Sequence, residues 1–144
     1  MSAREEIEAV IARMVAAVNE HDVEKCVALY TEDADLQDPR FPDPVQGKQY
    51  VREGFDYFFS AFPDARVEVV RRIVDAPDIA IEWTFEATHV GEYLGVRGSG
   101  VRYRVLTAAH FRVEDGKITR DFSLFDATGL KLLEENSKSA PPDS

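Results

Sequence analysis

The sequence predicts an α+β fold in which helices pack on one face of a curved antiparallel sheet. In the first part of the 144-residue chain, apolar residues recur at the spacing of amphipathic helices. From residue 66 onward they alternate with polar residues, as in strands with one buried face. Helices followed by a run of strands is the element order of the α+β class. The length fits a single domain, which we place at residues 1–135, with a disordered tail over residues 136–144.

Three helices are predicted before the strands begin. The first starts at a capping-box pattern formed by Ser2 and Glu5, and apolar residues then recur on one face for about five turns. After a polar break, Asp22 can cap a second helix that carries apolar residues as far as Tyr30. The third helix follows Gly47 and is unusually aromatic, so some of its rings are expected to line a cavity. Its aromatic residues are Tyr50, Phe55, Tyr57, Phe58, Phe59 and Phe62.

The first two long strands are predicted at residues 66–75 and 79–89, separated by a turn. In the second of them, apolar and polar residues alternate almost without exception. This alternation places Trp83, Phe85 and His89 on the buried side. His89 is therefore either tied to backbone at the end of the strand or directed into a pocket.

Two further strands are predicted at residues 101–112 and 117–126, joined by an Asp-Gly hairpin turn. Ala109 lies on the apolar face of the first of these, whereas the alternation in the second does not reveal which face is inward. The preceding segment, residues 90–100, is rich in glycine and is predicted to be a loop. Its bulky member Tyr93 makes this loop a candidate rim or lid over a cavity.

Asp38 is the candidate catalytic residue that the local pattern singles out. Ala34, Leu36 and Asp38 share one face of a short strand, so the carboxylate lies beside apolar residues. Pro39 ends the strand there, at a position where a cavity could open. Apolar surroundings raise the pKa of a carboxyl group and make it a useful proton carrier near neutral pH. The alternative is that Asp38 only caps the turn that contains Arg40.

Charge and composition exclude several classes of partner. The net charge of −10 disfavours nucleic acid and anionic membrane surfaces, which would repel the chain. The single cysteine, Cys26, gives no disulfide framework and no metal cluster, and no metal or cofactor is expected. Without a signal peptide or a long apolar run, the expectation is a soluble cytoplasmic protein.

A homodimer is expected from the outer face of the sheet. Leu106, Phe122 and Leu124 fall on the face opposite the helices, where they would be exposed in a monomer. Packing of two sheets against each other would cover them.

Several local strings resemble the nuclear transport factor 2-like superfamily, specifically its SnoaL-like and ketosteroid-isomerase-like branches. The strings are Val15–Asn19 with Asp22, Ala28–Ala34 with Asp38 and Pro39, Gly47, Ala61–Asp64, Trp83–Phe85 with Thr88 and His89, His110–Arg112, and Asp115–Ile118. The resemblance implies a cone-shaped, curved mixed or antiparallel sheet with the N-terminal helices packed on its concave face. This scaffold hosts isomerases, cyclases, dehydratases, epoxide hydrolases and non-catalytic members.

The resemblance also implies roles for individual positions. Asp38 matches the aspartate that transfers a proton in ketosteroid isomerases. The hydrogen-bond donors of those enzymes are matched by Met14 and Ala109, which cannot stabilise an oxyanion. In the SnoaL-type cyclases the acid/base positions match Ala109 and Ser123, while Asp121 stands where relatives often carry histidine. This register directs Asp121, Ser123 and Phe125 towards the pocket.

The leading hypothesis is a cofactor-independent acid/base enzyme, an isomerase or aldol-type cyclase, that acts on a small hydrophobic carbonyl compound such as a polyketide or steroid-like molecule. Asp38 is expected to be the general base, with Asp121 and His89 as candidates for the second proton carrier. The expected substrate-binding residues are Met14, Tyr57, Phe58, Trp83, Phe85, Tyr93, Ala109, Ser123 and Phe125. One alternative is a non-catalytic hydrophobic-ligand-binding or dimerisation module. Another is an epoxide hydrolase or dehydratase, which requires Asp38, Asp121 and His89 to converge around a water molecule.

Overall fold

The computed structural model describes residues 1–139 and has the predicted α+β architecture. The helices are α1 (Ala3–Asn19), α2 (Val23–Val27), α3 (Lys48–Ala61) and α4 (Ala127–Ser139). The strands are β1 (Tyr30–Gln37), β2 (Val45–Gln46), β3 (Arg66–Asp75), β4 (Asp78–Thr88), β5 (Arg102–Glu114) and β6 (Lys117–Leu124). They form one open six-stranded sheet in the order β2-β1-β6-β5-β4-β3. The β1–β6 pair is parallel and the other pairs are antiparallel, so the sheet is mixed.

Register along the sheet places alternate residues of β4, β5 and β6 on a common inner face. Ile81 of β4 lies opposite Ala109 of β5, which in turn lies opposite Ser123 of β6. Bulges interrupt the register in β3 between Val69 and Arg71 and in β6 between Ile118 and Arg120. Such bulges bend the strands and increase their twist, which produces the curvature of the inner face.

Helix α1 covers this inner face as the apolar pattern predicts. Ser2 accepts a hydrogen bond from the backbone N–H of Glu5 at 3.1 Å, and the Glu5 side chain bonds back to the Ser2 N–H, so the capping box is present. Asp22 caps α2 in the same way through the N–H of Lys25. The buried residues of α1 are Ile7, Val10, Ile11, Met14, Ala17 and Val18.

Two boundaries differ from the sequence prediction. Tyr30 was expected at the end of the second helix, but it is the first residue of β1, where it pairs with Ile118 of β6. Helix α4 extends to Ser139 and therefore includes residues 136–139, which the sequence analysis assigned to a disordered tail. The rest of that predicted tail, residues 140–144, lies outside the described residues.

The outer face of the sheet carries exposed apolar side chains. Ile73 is 64% exposed, Leu106 63% and Leu124 71%. His110 also lies on this side, where Nε2 of its ring lies 3.2 Å from Oδ1 of Asp78. Within residues 1–139, no helix combines the length and apolar character needed to cross a bilayer.

Candidate active site

A cavity of about 170 Å³ lies between α1, α3 and the inner face of the sheet. Most of the predicted site residues line it, and its wall is mainly apolar. The predicted residues on its wall are Met14, Asp38, Phe58, Trp83, Phe85, Tyr93, Asp121, Ser123 and Phe125. Among residues 1–139, no three histidine, cysteine, aspartate or glutamate side chains come together as potential metal ligands.

Asp121 is the buried carboxyl group of this cavity. It belongs to β6 and is 7% exposed. The hydroxyl group of Tyr30 donates a hydrogen bond to Oδ2 at 2.6 Å, and that of Ser123 donates one to Oδ1 at 2.5 Å. The carboxyl group is therefore held in one orientation by two hydroxyl donors from different strands.

Burial raises the pKa of the Asp121 carboxyl to about 6. The hydrogen bonds from Ser123 and Tyr30 favour the charged form and limit this rise, while the nearby charge of Asp38 adds to it. Burial and the Asp121 charge in turn raise the pKa of Tyr30, so its hydroxyl group keeps its proton and remains a donor. A carboxyl group with a pKa near neutrality, on the wall of an apolar cavity, is suited to accept and return a proton.

The parallel pairing of β1 with β6 explains this arrangement. Leu36 of β1 lies opposite Asp121, and Tyr30 stands at the start of the same strand. Sequence reasoning identified Asp121 and Ser123 but missed Tyr30, because Tyr30 was counted among the apolar residues of a helix. The pairing of β1 with β6 would have revealed Tyr30, because it places a tyrosine at the start of the strand next to the site strand. That pairing joins distant parts of the sequence, so the local pattern does not show it.

Asp38 lies on the cavity wall and also caps the turn that follows it. Its Oδ1 accepts hydrogen bonds from the backbone N–H and the Nε of Arg40, both at 2.9 Å. Its Oδ2 accepts a hydrogen bond from Nη2 of Arg40 at 2.7 Å. The two readings made from the sequence are therefore compatible. The expected apolar environment holds only in part, because the guanidinium group of Arg40 neutralises the carboxylate.

His89 does not reach the cavity, so its expected role as a proton carrier there was wrong. The ring is fully buried against a second core cluster, which includes Phe62, Phe85 and Leu130, and it stacks on Phe62 with centroids 4.9 Å apart. Its Nδ1 lies 2.8 Å from Oε1 of Glu134, a residue of α4 that sequence reasoning missed. Burial opposes the ionisation of Glu134, but hydrogen bonds from Ser99, Tyr103 and His89 outweigh it and lower the pKa of Glu134.

Tyr57 and Ala109 are also absent from the cavity wall. The Tyr57 hydroxyl group donates to Oε2 of Glu92 at 2.6 Å and accepts from the N–H of Leu94 at 2.7 Å. Tyr57 thus anchors the glycine-rich loop that places Tyr93 against the cavity. Ala109 faces inward as predicted but is 5% exposed and packed within the main core.

Comparisons with known proteins give a consistent family and fold. The family described as the SnoaL-like domain matches residues 11–121. The crystal structure of AclR, a candidate hydroxylase from Streptomyces galilaeus, is 26% identical and covers 97% of this chain and 89% of that one, with a TM-score of 0.77.

Two further solved structures share the fold at lower identity. A candidate SnoaL-like polyketide cyclase from Jannaschia sp. CCS1 is 19% identical, covers 96% of this chain and 94% of its own, and has a TM-score of 0.77. SalBIII, described as an epoxide hydrolase/cyclase-like enzyme in pyran ring formation in the polyether salinomycin, is 23% identical, covers 89% and 96% respectively, and has a TM-score of 0.73.

Proposed function

Because this chain belongs to the SnoaL-like family of the nuclear transport factor 2-like superfamily, we propose that it is a cofactor-independent acid/base enzyme. Its substrate is a small hydrophobic carbonyl compound of polyketide type, and its reaction is an isomerisation or an aldol-type cyclisation. Asp121 is the proton carrier. The observation that carries this proposal is the buried Asp121 carboxyl, with a pKa of about 6, on the wall of an apolar cavity.

Asp121 acts first as a base and then as an acid. Its carboxylate takes a proton from the carbon next to the carbonyl group, and the electrons of that C–H bond move into an enolate whose oxygen carries the charge. In isomerisation, Asp121 returns the proton to another carbon of the conjugated system and the carbonyl group forms again. In cyclisation, the enolate carbon bonds to a second carbonyl carbon, whose oxygen receives the proton from Asp121. With a pKa of about 6 the carboxyl is mostly ionised at pH 7, yet still a better base than an ordinary aspartate.

Asp38 supports this reaction and is not its base. Its carboxylate already accepts three hydrogen bonds from the Arg40 side chain and one from the Arg40 backbone, so attack on a carbon-bound proton requires breaking them. The general-base role expected for Asp38 therefore passes to Asp121. Asp38 instead positions Arg40 and holds a negative charge that raises the pKa of Asp121.

The cavity wall favours a flat apolar substrate. Phe58, Trp83, Phe85, Tyr93 and Phe125 surround it, and ring stacking and apolar burial stabilise such a ligand. A volume of about 170 Å³ lies below the roughly 300–1,000 Å³ of typical ligand pockets, so it limits the substrate to a small molecule. The polyketide class rests on the similarity to candidate polyketide cyclases.

The test is hydrogen–deuterium exchange of 2-indanone, a small bicyclic ketone, followed by NMR in D₂O. Wild-type protein is expected to accelerate exchange of the hydrogens next to the carbonyl group. Asp121→Asn is expected to lower that rate by about 10²- to 10⁴-fold, the usual contribution of a general base. The matched variant Asp38→Asn removes the other cavity carboxylate and is expected to retain more of the rate. An accelerated exchange rate that is the same in Asp121→Asn as in wild type would contradict the proposal. If neither wild type nor Asp121→Asn exchanges faster than the solution without protein, a non-catalytic binding module is favoured.

A second candidate function is epoxide hydrolysis. Asp38 and Asp121 line the same cavity, as this reaction requires, although His89 does not join them. One carboxylate would remove a proton from water while the other delivers a proton to the opening epoxide oxygen. Incubation of the protein with styrene oxide, followed by chromatography of the diol, tests this candidate. Diol formation that is lost in Asp121→Asn supports epoxide hydrolysis, and its absence with intact 2-indanone exchange rejects it.

The quaternary structure we propose is a homodimer formed through the outer face of the sheet. The exposed apolar residues Ile73, Leu106 and Leu124 support it, because a monomer would leave them in water. Sedimentation equilibrium is expected to give a dimer for wild type and a shift towards monomer for Leu106→Asp. A wild-type monomer at micromolar concentration would contradict this proposal.

A further inference from the structure

Arg40 is the one cationic residue among the described residues that line the cavity. Its side chain is 15% exposed, and its guanidinium group lies near the ring of Phe41, with Cζ 4.7 Å from the ring centroid. Burial of an arginine in an apolar wall is unfavourable unless its donors are used.

One edge of the guanidinium group, formed by Nε and Nη2, is hydrogen-bonded, whereas its third nitrogen, Nη1, has a different environment. Nε and Nη2 donate to the two carboxylate oxygens of Asp38, and Nη2 also donates to the carbonyl oxygen of Tyr50 at 3.3 Å. Nη1 has no hydrogen-bond partner within residues 1–139. Asp38 thus fixes the plane of the group, and Nη1 keeps two N–H donors 3.4 Å from the place that a Cβ atom would take on the cavity-lining Gly54.

Helix α3 makes room for this group with a glycine. Gly54 lies in the interior of α3, where glycine is among the least favourable residues. A Cβ atom added at this position would lie 2.7 Å from Nη2 and 3.1 Å from Cζ of Arg40. Any larger residue would displace the guanidinium group, so Gly54 and Asp38 together define its position.

We propose that Nη1 of Arg40 binds the substrate oxygen that becomes negatively charged when Asp121 removes the proton. This inference rests on the proposed function and adds the group that stabilises the enolate. The positions that would supply such donors by resemblance hold Met14 and Ala109, which cannot donate a hydrogen bond. Arg40 supplies the donor instead, from the turn that follows β1. The preferred substrate is therefore a compound whose enolate oxygen can reach Arg40 while its acidic carbon faces Asp121.

The electrostatic setting supports this assignment. The charges of Asp38 and Arg40 both act on Asp121, in opposite directions, so the three groups lie within electrostatic range of one another. When Asp121 accepts a proton it loses its charge, and the substrate oxygen gains one. A fixed cation beside that oxygen stabilises the new charge in a site of low dielectric constant.

Equilibrium binding of an enolate analogue tests this proposal without any turnover. The probe is 4-nitrophenol, whose neutral and anionic forms absorb at different wavelengths, and nitrobenzene is the uncharged control ligand. The measured quantity is the affinity for the 4-nitrophenolate anion divided by the affinity for nitrobenzene. This ratio is expected to be about ten- to hundredfold higher in wild type than in Arg40→Met. Nitrobenzene affinity is expected to stay the same in both proteins.

Two further variants separate position from charge. Arg52→Met is the matched control, because Arg52 is on α3 but pairs with Glu24 on the surface, away from the cavity. It removes the same charge and is expected to leave the anion preference unchanged. Gly54→Ala keeps all charges but displaces the guanidinium group, and it is expected to reduce the preference.

The outcomes are distinct. An anion preference that falls in Arg40→Met and Gly54→Ala, but not in Arg52→Met, supports the proposal even if 2-indanone exchange fails. An equal preference in Arg40→Met and Arg52→Met overturns it, as does wild-type binding of nitrobenzene alone or of neither probe.

Discussion

Two buried carboxyl groups, Asp121 and Glu134, lie in the same domain but in opposite electrostatic situations. Asp121 is 7% exposed and Glu134 is 2% exposed. Burial raises the pKa of Asp121 to about 6, whereas hydrogen bonds from Ser99, Tyr103 and His89 overcome the effect of burial and lower the pKa of Glu134. Both groups are buried, so burial alone does not identify a proton carrier.

The difference lies in what each carboxyl group faces. Asp121 lies on the wall of a cavity, where each of its carboxylate oxygens accepts one hydrogen bond from a hydroxyl group. Glu134 joins α4 to the end of β4 through His89 and is not among the residues that line the cavity of Asp121. We interpret the Glu134–His89 pair as a structural contact that fixes α4, and Asp121 as the reactive group.

The largest effect that we expect is a loss of stability when the Glu134–His89 pair is broken. His89→Ala removes one hydrogen-bond donor from the buried Glu134 carboxyl, together with the ring that stacks on Phe62, and is expected to lower the free energy of unfolding by about 3–5 kcal/mol. Urea denaturation followed by circular dichroism measures this change. Glu134→Gln preserves the size of the side chain, so a smaller decrease in the free energy of unfolding is expected. Loss of 2-indanone exchange with no loss of stability in His89→Ala would contradict the structural assignment.

Asp121→Asn is expected to make the protein more stable near neutral pH. The folded-state pKa of Asp121 lies above that of an unfolded aspartate, so the folded protein binds more protons between pH 4 and 6 and loses stability as the pH rises through that range. Above the folded-state pKa, ionisation costs about 3 kcal/mol. Urea denaturation is expected to show this gain for Asp121→Asn at pH 8 and little of it at pH 4.

The control for this gain is Asp33→Asn, which changes an exposed aspartate of β1. It is expected to leave the free energy of unfolding nearly unchanged at both pH values. Equal stability of wild type and Asp121→Asn at pH 8 would mean that burial does not penalise the Asp121 charge.

A smaller effect is expected from the hydroxyl groups around Asp121. Tyr30→Phe removes a hydrogen bond that favours the charged form, so the pKa of Asp121 is expected to rise further. Ser123→Ala is expected to act in the same direction. NMR titration of the Asp121 carboxyl carbon measures both shifts. A lower pKa in either variant would show that the hydroxyl groups do not act as donors to the carboxylate.

The sequence was sufficient for features that depend on local pattern. The capping box of α1, the alternation that directs Trp83 and Phe85 to the inner face, and the turns follow from neighbouring residues alone. The inward direction of Asp121 and Ser123 needed the resemblance, because the alternation in β6 is ambiguous. The aromatic residues that line the cavity were predicted from the local pattern and the resemblance together.

Long-range contacts account for what the sequence could not predict. Tyr30 reaches Asp121 only because β1 and β6 pair in parallel, although 91 positions separate the two residues. Glu134 captures His89 from a helix whose extent the apolar pattern did not predict. His89 shares the inward face with Phe85, but it lies two alternating positions further along, where it packs on Phe62 of the second core cluster and not on the cavity wall.

The pH dependence of 2-indanone exchange tests the central claim most directly. If Asp121 is the base, the second-order rate constant of wild type, corrected for exchange without protein, rises with pH and has its midpoint near 6, the pKa of the Asp121 carboxyl in the free protein. Tyr30→Phe then shifts that midpoint upward. A midpoint near 4, the value of an ordinary aspartate, or a midpoint that Tyr30→Phe leaves in place, would contradict the account.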